Sequence, residues 1–275
     1  MLDCTRQLRP RAGFPGTPEF TMAFQPVVEL DSGRILAYEA LARPVPDGAA
    51  GSLFEQIPAS HRCVFDQYCR IKAVKLAAGL DLRAPLAINV LPVGPCPAAD
   101  CLDEFVVTAD RYGFSPERLI LELPAPTSAQ DLSYLAPMAL AARRQGMLVA
   151  LDDFHATSAS TPGLVELRPN LVKLAMSLVR RIDADAARRA QVRAILGHCA
   201  RFGAAVIAKG VETFEEAATL GALEVSQFQG YLFARPAIER LAGVPEVVLE
   251  RVRSLVAEQA MLRRDARRAR AQNTA

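Results

Sequence analysis

Short apolar runs alternate with helical stretches along most of this 275-residue chain, and this alternation is the feature that most limits its fold. The runs are rich in Val, Ile and Leu, as strands buried on both faces should be. Strand and helix in repeated succession favour parallel strands joined by crossover helices. In chain order the runs are MAFQPVVEL, RILAYEALAR, PLAINVL, RLILEL, MLVALDDF, NLVKLAM, AVIAKG and VSQFQGYLF.

About eight strands alternating with helices over roughly 220 residues predict an α/β fold, the (β/α)8 barrel of the TIM type. A doubly wound open sheet is the alternative, but no G-x-G-x-x-G fingerprint follows the first strand. Caps and glycines predict helix ends at Gly79 and Gly203, a helix from Ser128 to Gly146, and one from Thr213 to Gly221.

The chain is expected to divide into three parts. These are a flexible leader, a barrel domain, and a C-terminal helix with a basic tail, at residues 1–21, 22–243 and 244–275. The tail ends in RRDARRARAQ, which is either a solvated helix end or a contact for a partner or an anionic surface.

Charge and composition argue against several classes of protein. A net charge of +2, no tryptophan and 6% aromatic residues give no indication of direct nucleic-acid binding. No run of about 18 apolar residues is present, so we expect no membrane span. The N-terminus has no signal core, and the six cysteines lack metal-binding spacing, so we expect a cytoplasmic protein with free thiols.

Polar side chains stand at the ends of seven successive predicted strands. A single carboxylate after a strand is usually a helix cap or a loop charge. Seven successive strands with a polar end favour a functional site instead. In a parallel barrel these ends converge on one rim, where the active sites of such barrels lie. From the second strand to the eighth, the residues are Glu39, Asn89, Glu122, Asp152 with Asp153, Lys173, Lys209 and Gln229.

The chemistry of this rim suggests a metal site. Clustered carboxylates raise one another's pKa unless a cation joins them, and oxygen ligands suit Mg²⁺ or Mn²⁺ rather than zinc. Two such ions about 4 Å apart suit in-line attack on a phosphodiester. A lysine on the same rim can hold a phosphate or the attacking water. The residues alone therefore suggest a divalent-metal site for a phosphorylated ligand.

An ordered series of motifs resembles the EAL domain family, bacterial phosphodiesterases that linearise cyclic di-GMP. The resemblance runs from about Phe24 to Pro236. The triplet E-A-L alone is weak evidence, but the ordered series is specific. Its members are FQPVVELDSGRILAYEALAR, INV, LILEL, ALDDF, PNLVKL and QGYLFARP.

The resemblance implies a barrel with an antiparallel excursion near the first strands, and a role for each matching residue. Lys173 matches the lysine near the nucleophilic water, and Asp153 lies at the second metal. First-metal ligands are implied at Glu39, Asn89, Glu122 and Asp152. Positions that bind the ligand or hold the site are implied at Gln25, Glu39, Leu41, Arg43, Asn89, Asp152 and Gln229.

Four departures from the family pattern fall on one half of the site. The family's AEGVET is AKGVET here, so Lys209 replaces a glutamate at the second metal. Ala175 replaces the aspartate of K-x-D, and Ala125 replaces the glutamate that orders the loop after the paired aspartates. That loop, D-D-F-G-x-G in the family, reads DDFHATSAS, with His155 and Ala156 in place of the glycine region.

The departures predict a catalytically impaired member of the family. We expect the Lys209 ammonium to take over part of the second metal's role by pairing with Asp152 or Asp153; the alternative is a lysine that extends into solvent. One Mg²⁺ or Mn²⁺ site is expected and a second is doubtful.

Three functions remain open at this point. The first is a cyclic di-GMP receptor or a protein-interaction regulator with a partner protein. The second is an active Mg²⁺- or Mn²⁺-dependent phosphodiesterase that produces linear pGpG, and the third is a module that binds no nucleotide. A homodimer is possible in each case.

Overall fold

A computed structural model describes residues 17–45, 50–90, 98–155 and 160–272. Eight of its strands close into a barrel in the order β1 to β8, with β1 hydrogen-bonded to both β2 and β8. The short β9 pairs antiparallel with β1 at Ala23↔Ile238. The strands are β1 Phe20–Glu29, β2 Ile35–Pro44, β3 Leu86–Asn89, β4 Leu119–Pro124, β5 Leu148–Phe154, β6 Leu171–Leu174, β7 Ala205–Ala208, β8 Gln227–Phe228 and β9 Ala237–Ile238.

The strand directions confirm the predicted barrel and its antiparallel start. Strand β1 runs antiparallel to β2 from Phe20↔Pro44 to Val28↔Ile35, and antiparallel to β8. Strands β2 to β8 are parallel to one another. Parallel strands put their carboxyl ends on one rim, so side chains that follow β3 to β8 converge there.

Helices connect most of the strands, and the capping signals explain where several of them begin and end. Ser128 and Asp131 form a capping box, as do Thr213 and Glu216, and Gly203 ends a helix in the left-handed conformation. The helices are α1 Ala50–Glu55, α2 Arg62–Gly79, α3 Ala98–Arg111, α4 Ala129–Arg144, α5 Ser160–Leu167, α6 Met176–Val179, α7 Ala186–Phe202, α8 Phe214–Gly221 and α9 Glu246–Gln272.

Helix α9 lies against the barrel through its first three turns. Leu249 and Val252 are buried, and Val256 packs against Gly221 so closely that a Cβ on that glycine would lie 2.5 Å from a valine methyl. The arginine side chains of the predicted basic tail lie outside the described part of the chain, as does the predicted leader up to residue 16.

Other sequence expectations can be compared with the described residues. Cys69 and Cys199 are free thiols, as expected, whereas Cys4, Cys96 and Cys101 fall outside the described side chains. Within the described ranges, no helix has the length and apolar character needed to cross a membrane.

A layer of small apolar side chains lies directly beneath the rim. Ala37, Ala87, Ile120 and Ala150 form a separate buried cluster. Each stands two residues before a polar site residue on its strand, and alternate residues of a strand face the same side. The four polar side chains of β2 to β5, at positions 39, 89, 122 and 152, therefore sit on top of this layer, at the mouth of the barrel.

Candidate functional site

The rim gathers most of the predicted polar residues, with one correction to their placement. Asn89 ends β3, Lys173 lies near the end of β6, and Lys209 directly follows β7. The prediction that the second strand ends near Glu39 was wrong. Strand β2 continues to Pro44 because it pairs along its whole length with antiparallel β1, so Glu39 faces the mouth from mid-strand.

The Lys173 ammonium lies between two buried glutamates. Its Nζ donates to Glu39 Oε2 at 2.6 Å and to both carboxylate oxygens of Glu122, at 2.9 and 2.8 Å. Glu39 also accepts from Asn89 Nδ2 at 2.9 Å and from Gln229 Nε2 at 2.8 Å. The lysine side chain is fully buried. We call these five residues the Lys173 cluster.

The two glutamates of this cluster differ in how readily they ionise. Burial opposes the charge on Glu39, but Lys173 and the donated hydrogen bonds outweigh it and lower the pKa of Glu39 to about 2. Burial and the neighbouring Glu39 charge raise the pKa of Glu122, against the effect of Lys173. Burial alone would lower the pKa of Lys173, but the two carboxylates raise it, so the ammonium stays charged.

A second ammonium bridges the paired aspartates. Lys209 Nζ lies 2.8 and 2.9 Å from the two oxygens of Asp152, and 2.6 Å from Asp153 Oδ1. Only 15% of its side chain is exposed, so it does not extend into solvent. Partial burial alone would lower the pKa of Lys209, but Asp152 and Asp153 together raise it. We call these three residues the Lys209 bridge.

The backbone around the bridge is held in unusual conformations. Asp153 has φ of +52°, which is uncommon for a residue with a side chain, and the β5–β6 register shifts between Leu151 and Phe154. Gly210 has φ of +72°, and a Cβ there would lie 2.7 Å from Met176 Cγ. The bridge thus joins a bulged end of β5 to a turn that only glycine fits.

The oxygen donors of the site do not fit a divalent ion as they stand. The carboxylates of Asp152 and Asp153 face Lys209, while Glu39 and Glu122 face Lys173. In the part of the chain that the structure describes, no three His, Cys, Asp or Glu side chains are arranged to hold a metal ion. The site is built around two ammonium groups.

A pocket of about 430 Å³ opens beside both lysine groups. Its polar wall carries Glu39, Asn89, Asp152 and Lys209, and its other walls are mostly apolar, with Leu41 among them. That volume lies within the range of about 300–1,000 Å³ that is usual for small-molecule sites. Convergent charged groups at one end of an apolar pocket favour a ligand with both a charged and a hydrophobic part.

Three of the predicted ligand-binding residues do not line this pocket. Gln25 is buried and donates from Nε2 to the Ala234 carbonyl at 3.0 Å, so it anchors the segment after β8. Arg43 donates to the Ala42 carbonyl at 2.9 Å. Gln229 is also buried and reaches the site through Glu39. Their observed contacts are therefore structural ones.

A buried ion pair in the pocket wall was missed by the sequence reading. Asp66 and Arg70 of α2 are 2.5 Å apart, both are buried, and both line the pocket. Arg70 Nε is buried and has no hydrogen-bond acceptor among the described residues. The i,i+4 spacing of Asp66 and Arg70 on α2 is the signal that could have revealed the pair.

The other departures from the family pattern occupy different surroundings. Ala175 is buried and its amide donates to the Phe154 carbonyl at 3.1 Å, so an aspartate here would be enclosed. Ala125 donates from its amide to the Asp152 carbonyl at 2.8 Å. His155 is exposed, and Ala156 lies outside the described residues.

Comparisons of the sequence and the structure with known proteins all point to the same family. The profile of the EAL domain matches residues 11–236. A cyclic di-GMP phosphodiesterase of Pseudomonas aeruginosa is 30% identical over 230 residues, which cover 80% of this chain and 39% of that protein. The first curated relatives are matched over only 55% and 39% of their own length.

Solved structures match over more of their length. A standalone EAL protein of Vibrio cholerae, solved with cyclic di-GMP, is 33% identical with a TM-score of 0.79, covering 84% of this chain and 98% of that one. The Klebsiella pneumoniae protein BlrP1, solved with manganese and cyclic di-GMP, is 30% identical with a TM-score of 0.72, covering 83% and 58%. BlrP1 has also been solved with cyclic di-GMP and no metal ions.

Proposed function

The chain belongs to the EAL domain family, and from this premise we propose that it is a cyclic di-GMP receptor whose catalytic step is lost or strongly impaired. The observation that carries the proposal is the Lys209 bridge. In the family pattern a glutamate at this position serves a second metal, and here an ammonium contacts both aspartates instead.

Charge explains why the bridge opposes catalysis. Replacing a carboxylate by an ammonium changes the local charge by two units. The positive charge of the ammonium then repels a divalent cation. An ammonium does not ligate water, so it does not lower the pKa of water as a metal ion does. Losing that activation costs several orders of magnitude in rate, of the size that metal and electrostatic terms supply.

The same charge supports binding, because it offsets part of the negative charge of Asp152 and Asp153 that would otherwise repel a phosphate. The ammonium of Lys209 lies on the pocket wall, where a phosphate diester of the ligand would meet it. The metal-free complex of BlrP1 with cyclic di-GMP supports binding that needs no ion. We therefore propose that binding here is independent of divalent metal.

One Mg²⁺ or Mn²⁺ ion is the most that the remaining donors could hold. These donors are Glu39, Asn89, Glu122 and Asp152. They would be free to meet an ion only after Lys173 moves from between the glutamates and Lys209 moves away from Asp152. The manganese complex of BlrP1 supports such a site in the family. The buried position and the three short contacts of Lys173 oppose it in this chain.

The alternative function is an active phosphodiesterase that yields linear pGpG. It is favoured by the relative from Pseudomonas aeruginosa and by the retained Glu39, Asn89, Glu122 and Lys173. A receptor releases its ligand unchanged and makes no product. The signal must therefore be passed on by contact with a partner protein.

Calorimetry separates these functions. Cyclic di-GMP is titrated into the protein in EDTA and then in Mg²⁺, and the mixtures are analysed for pGpG by anion-exchange chromatography. We expect binding in both buffers and no pGpG. Turnover in Mg²⁺ would establish the phosphodiesterase, and an absence of binding heat in both buffers would leave a module that binds no nucleotide.

A further inference from the structure

Helix α9 continues well past its contact with the barrel. Its 27 residues, Glu246–Gln272, extend about 40 Å at a rise of 1.5 Å per residue. Leu249 and Val252 are buried against the barrel, whereas Glu258 is exposed and Met261 is 65% exposed. A helix in a protein gains most of its stability by packing one face against a partner. The second half of α9 is therefore a candidate surface for a further contact.

A stripe with the spacing of a coiled coil runs along this second half. Its members follow one another by alternating steps of four and three residues, which are the a and d positions of a heptad repeat. At 3.6 residues per turn, the stripe lies about a quarter turn round the helix from the residues buried on the barrel. Its first two members are only partly buried in the single chain. The stripe, which we call the α9 seam, consists of Leu255, Gln259, Leu262, Ala266 and Ala269.

Charges of opposite sign flank the α9 seam on its two sides. Glu258 and Asp265 occupy the g positions of the heptads, and Arg263 and Arg270 occupy the e positions. In a parallel pair of helices, a g residue of one copy meets the e residue five positions later in the other. Glu258 is thereby matched with Arg263 of the second copy. Asp265 is matched with Arg270 in the same way.

The same charges select the direction of pairing. An antiparallel pair brings e positions opposite e positions and g positions opposite g positions. Arginine would then face arginine and carboxylate would face carboxylate, which is unfavourable. The charge pattern therefore favours a second copy of the same helix, running in the same direction.

We propose that the second half of α9 pairs in parallel with the same helix of a second copy of this chain, as a short two-stranded coiled coil. The inference goes beyond the proposed function and does not depend on it. Gln259 and the two alanines give the seam a small, partly polar core, so we expect a dimer of modest affinity. The flanking charges then contribute a large share of its stability.

The position of α9 makes such a dimer compatible with ligand binding. The helix begins beside Gly33 in the turn between β1 and β2, where a Cβ would lie 3.1 Å from Leu249 Cδ1. It then passes Gly221, where α8 ends before β8. Both places lie at the end of the barrel opposite the rim, so pairing through α9 leaves the pocket open in each copy.

Charge-swapped variants of the full chain test the pairing by sedimentation equilibrium. The double variant Glu258→Arg with Asp265→Arg makes both flanks of the seam basic. The double variant Arg263→Glu with Arg270→Glu makes both flanks acidic. In each variant alone the dimer should dissociate at least about tenfold more readily, because like charges meet across the seam. An equimolar mixture of the two variants should restore the dimer, since every pair is again of opposite sign.

The matched control is the double variant Arg264→Glu with Arg268→Glu. It changes the net charge by the same amount as Arg263→Glu with Arg270→Glu, but at f and c positions, which face away from the seam. It should dimerise like the original protein. An equal loss in this control would overturn the proposal, because net charge and not the heptad register would then govern association.

Three further results would contradict the α9 dimer. An original protein that stays monomeric up to submillimolar concentration would exclude it. A dimer that persists unchanged in both charge-swapped variants would also exclude it, because another surface would then join the copies. A mixture of the two variants that fails to form a dimer would exclude pairing between the flanks of the seam. The receptor proposal is tested separately, by titration with cyclic di-GMP.

Discussion

The ammonium of Lys209, at the end of β7, lies 2.8 and 2.9 Å from the two carboxylate oxygens of Asp152 on β5. One strand, β6, separates them both along the chain and in the barrel. The contact therefore links the ends of β5 and β7 at the barrel mouth, on either side of the strand that carries Lys173. An acidic residue at position 209 would repel Asp152, and only a bound cation would let the two approach.

This relationship predicts that Lys209→Glu gains affinity for Mn²⁺ or Mg²⁺. The substitution restores a carboxylate beside Asp152 and Asp153, so three acidic groups need a counter-ion. Lys209→Met is the control, since it removes the ammonium without adding a ligand. Calorimetric titration with Mn²⁺ should show binding that is at least about tenfold tighter in Lys209→Glu than in Lys209→Met. Equal affinities would mean that the lysine does not block an ion.

Removing the ammonium of Lys173 should strongly destabilise the barrel. Lys173→Met leaves Glu39 and Glu122 buried together with no cation, and breaking a buried ion pair costs about 3–5 kcal/mol. The free energy of unfolding in urea measures the loss. Lys75→Met, at an exposed position on α2, should change it by less than about 0.5 kcal/mol. A small loss in Lys173→Met would contradict the observed burial of this cluster.

The raised pKa of Glu122 predicts that stability falls as the pH rises. Burial lifts the pKa of this carboxyl from 4.5 to about 8, so the folded protein retains a proton that the unfolded chain releases. The stabilising effect is complete below about pH 4.5 and is lost as the pH rises towards 8. Glu122→Gln cannot ionise, so its unfolding free energy should vary less between pH 5 and 9. Glu117→Gln, at a surface position, is the control and should behave like the original protein.

Gly230→Ala should destabilise the rim. A Cβ at this position meets backbone atoms of Val211, the nearest at 2.0 Å, and backbone cannot move aside as a side chain can. We expect a loss of at least about 2 kcal/mol, measured by urea unfolding. Gly197→Ala on α7 meets nothing within 4 Å and should instead stabilise the protein by about 0.5–1 kcal/mol. Similar effects of the two changes would contradict the close approach.

Local patterns made much of the fold predictable. The capping boxes at Ser128 and Thr213 and the left-handed Gly203 depend on neighbours within a few residues, so the sequence reveals them directly. Strand β2 continues beyond Glu39 because it pairs with β1. The position of a polar residue in the sequence does not reveal that pairing. Helix α3 escaped detection, although its length of 14 residues is ordinary.

The membership of the site and the pairing of Lys209 with the aspartates were predictable, but the pairing of Lys173 with Glu39 and Glu122 was not. Strand ends and motifs identify Asp152, Lys173 and Lys209, because parallel strands carry such residues to one rim. Which ammonium meets which carboxylate depends on distances across the barrel. The Asp66–Arg70 pair was missed because helical spacing alone does not tell which face of α2 lines a pocket.

The most direct test of the central claim is a single-turnover assay. Protein in excess over cyclic di-GMP is incubated with Mn²⁺ and the nucleotide is followed by chromatography, with the phosphodiesterase of Pseudomonas aeruginosa as the active reference. We predict that the ligand stays cyclic while it is bound. Conversion to pGpG at a rate like that of the reference would contradict the account, because a bridge between Lys209 and the paired aspartates would then be compatible with catalysis.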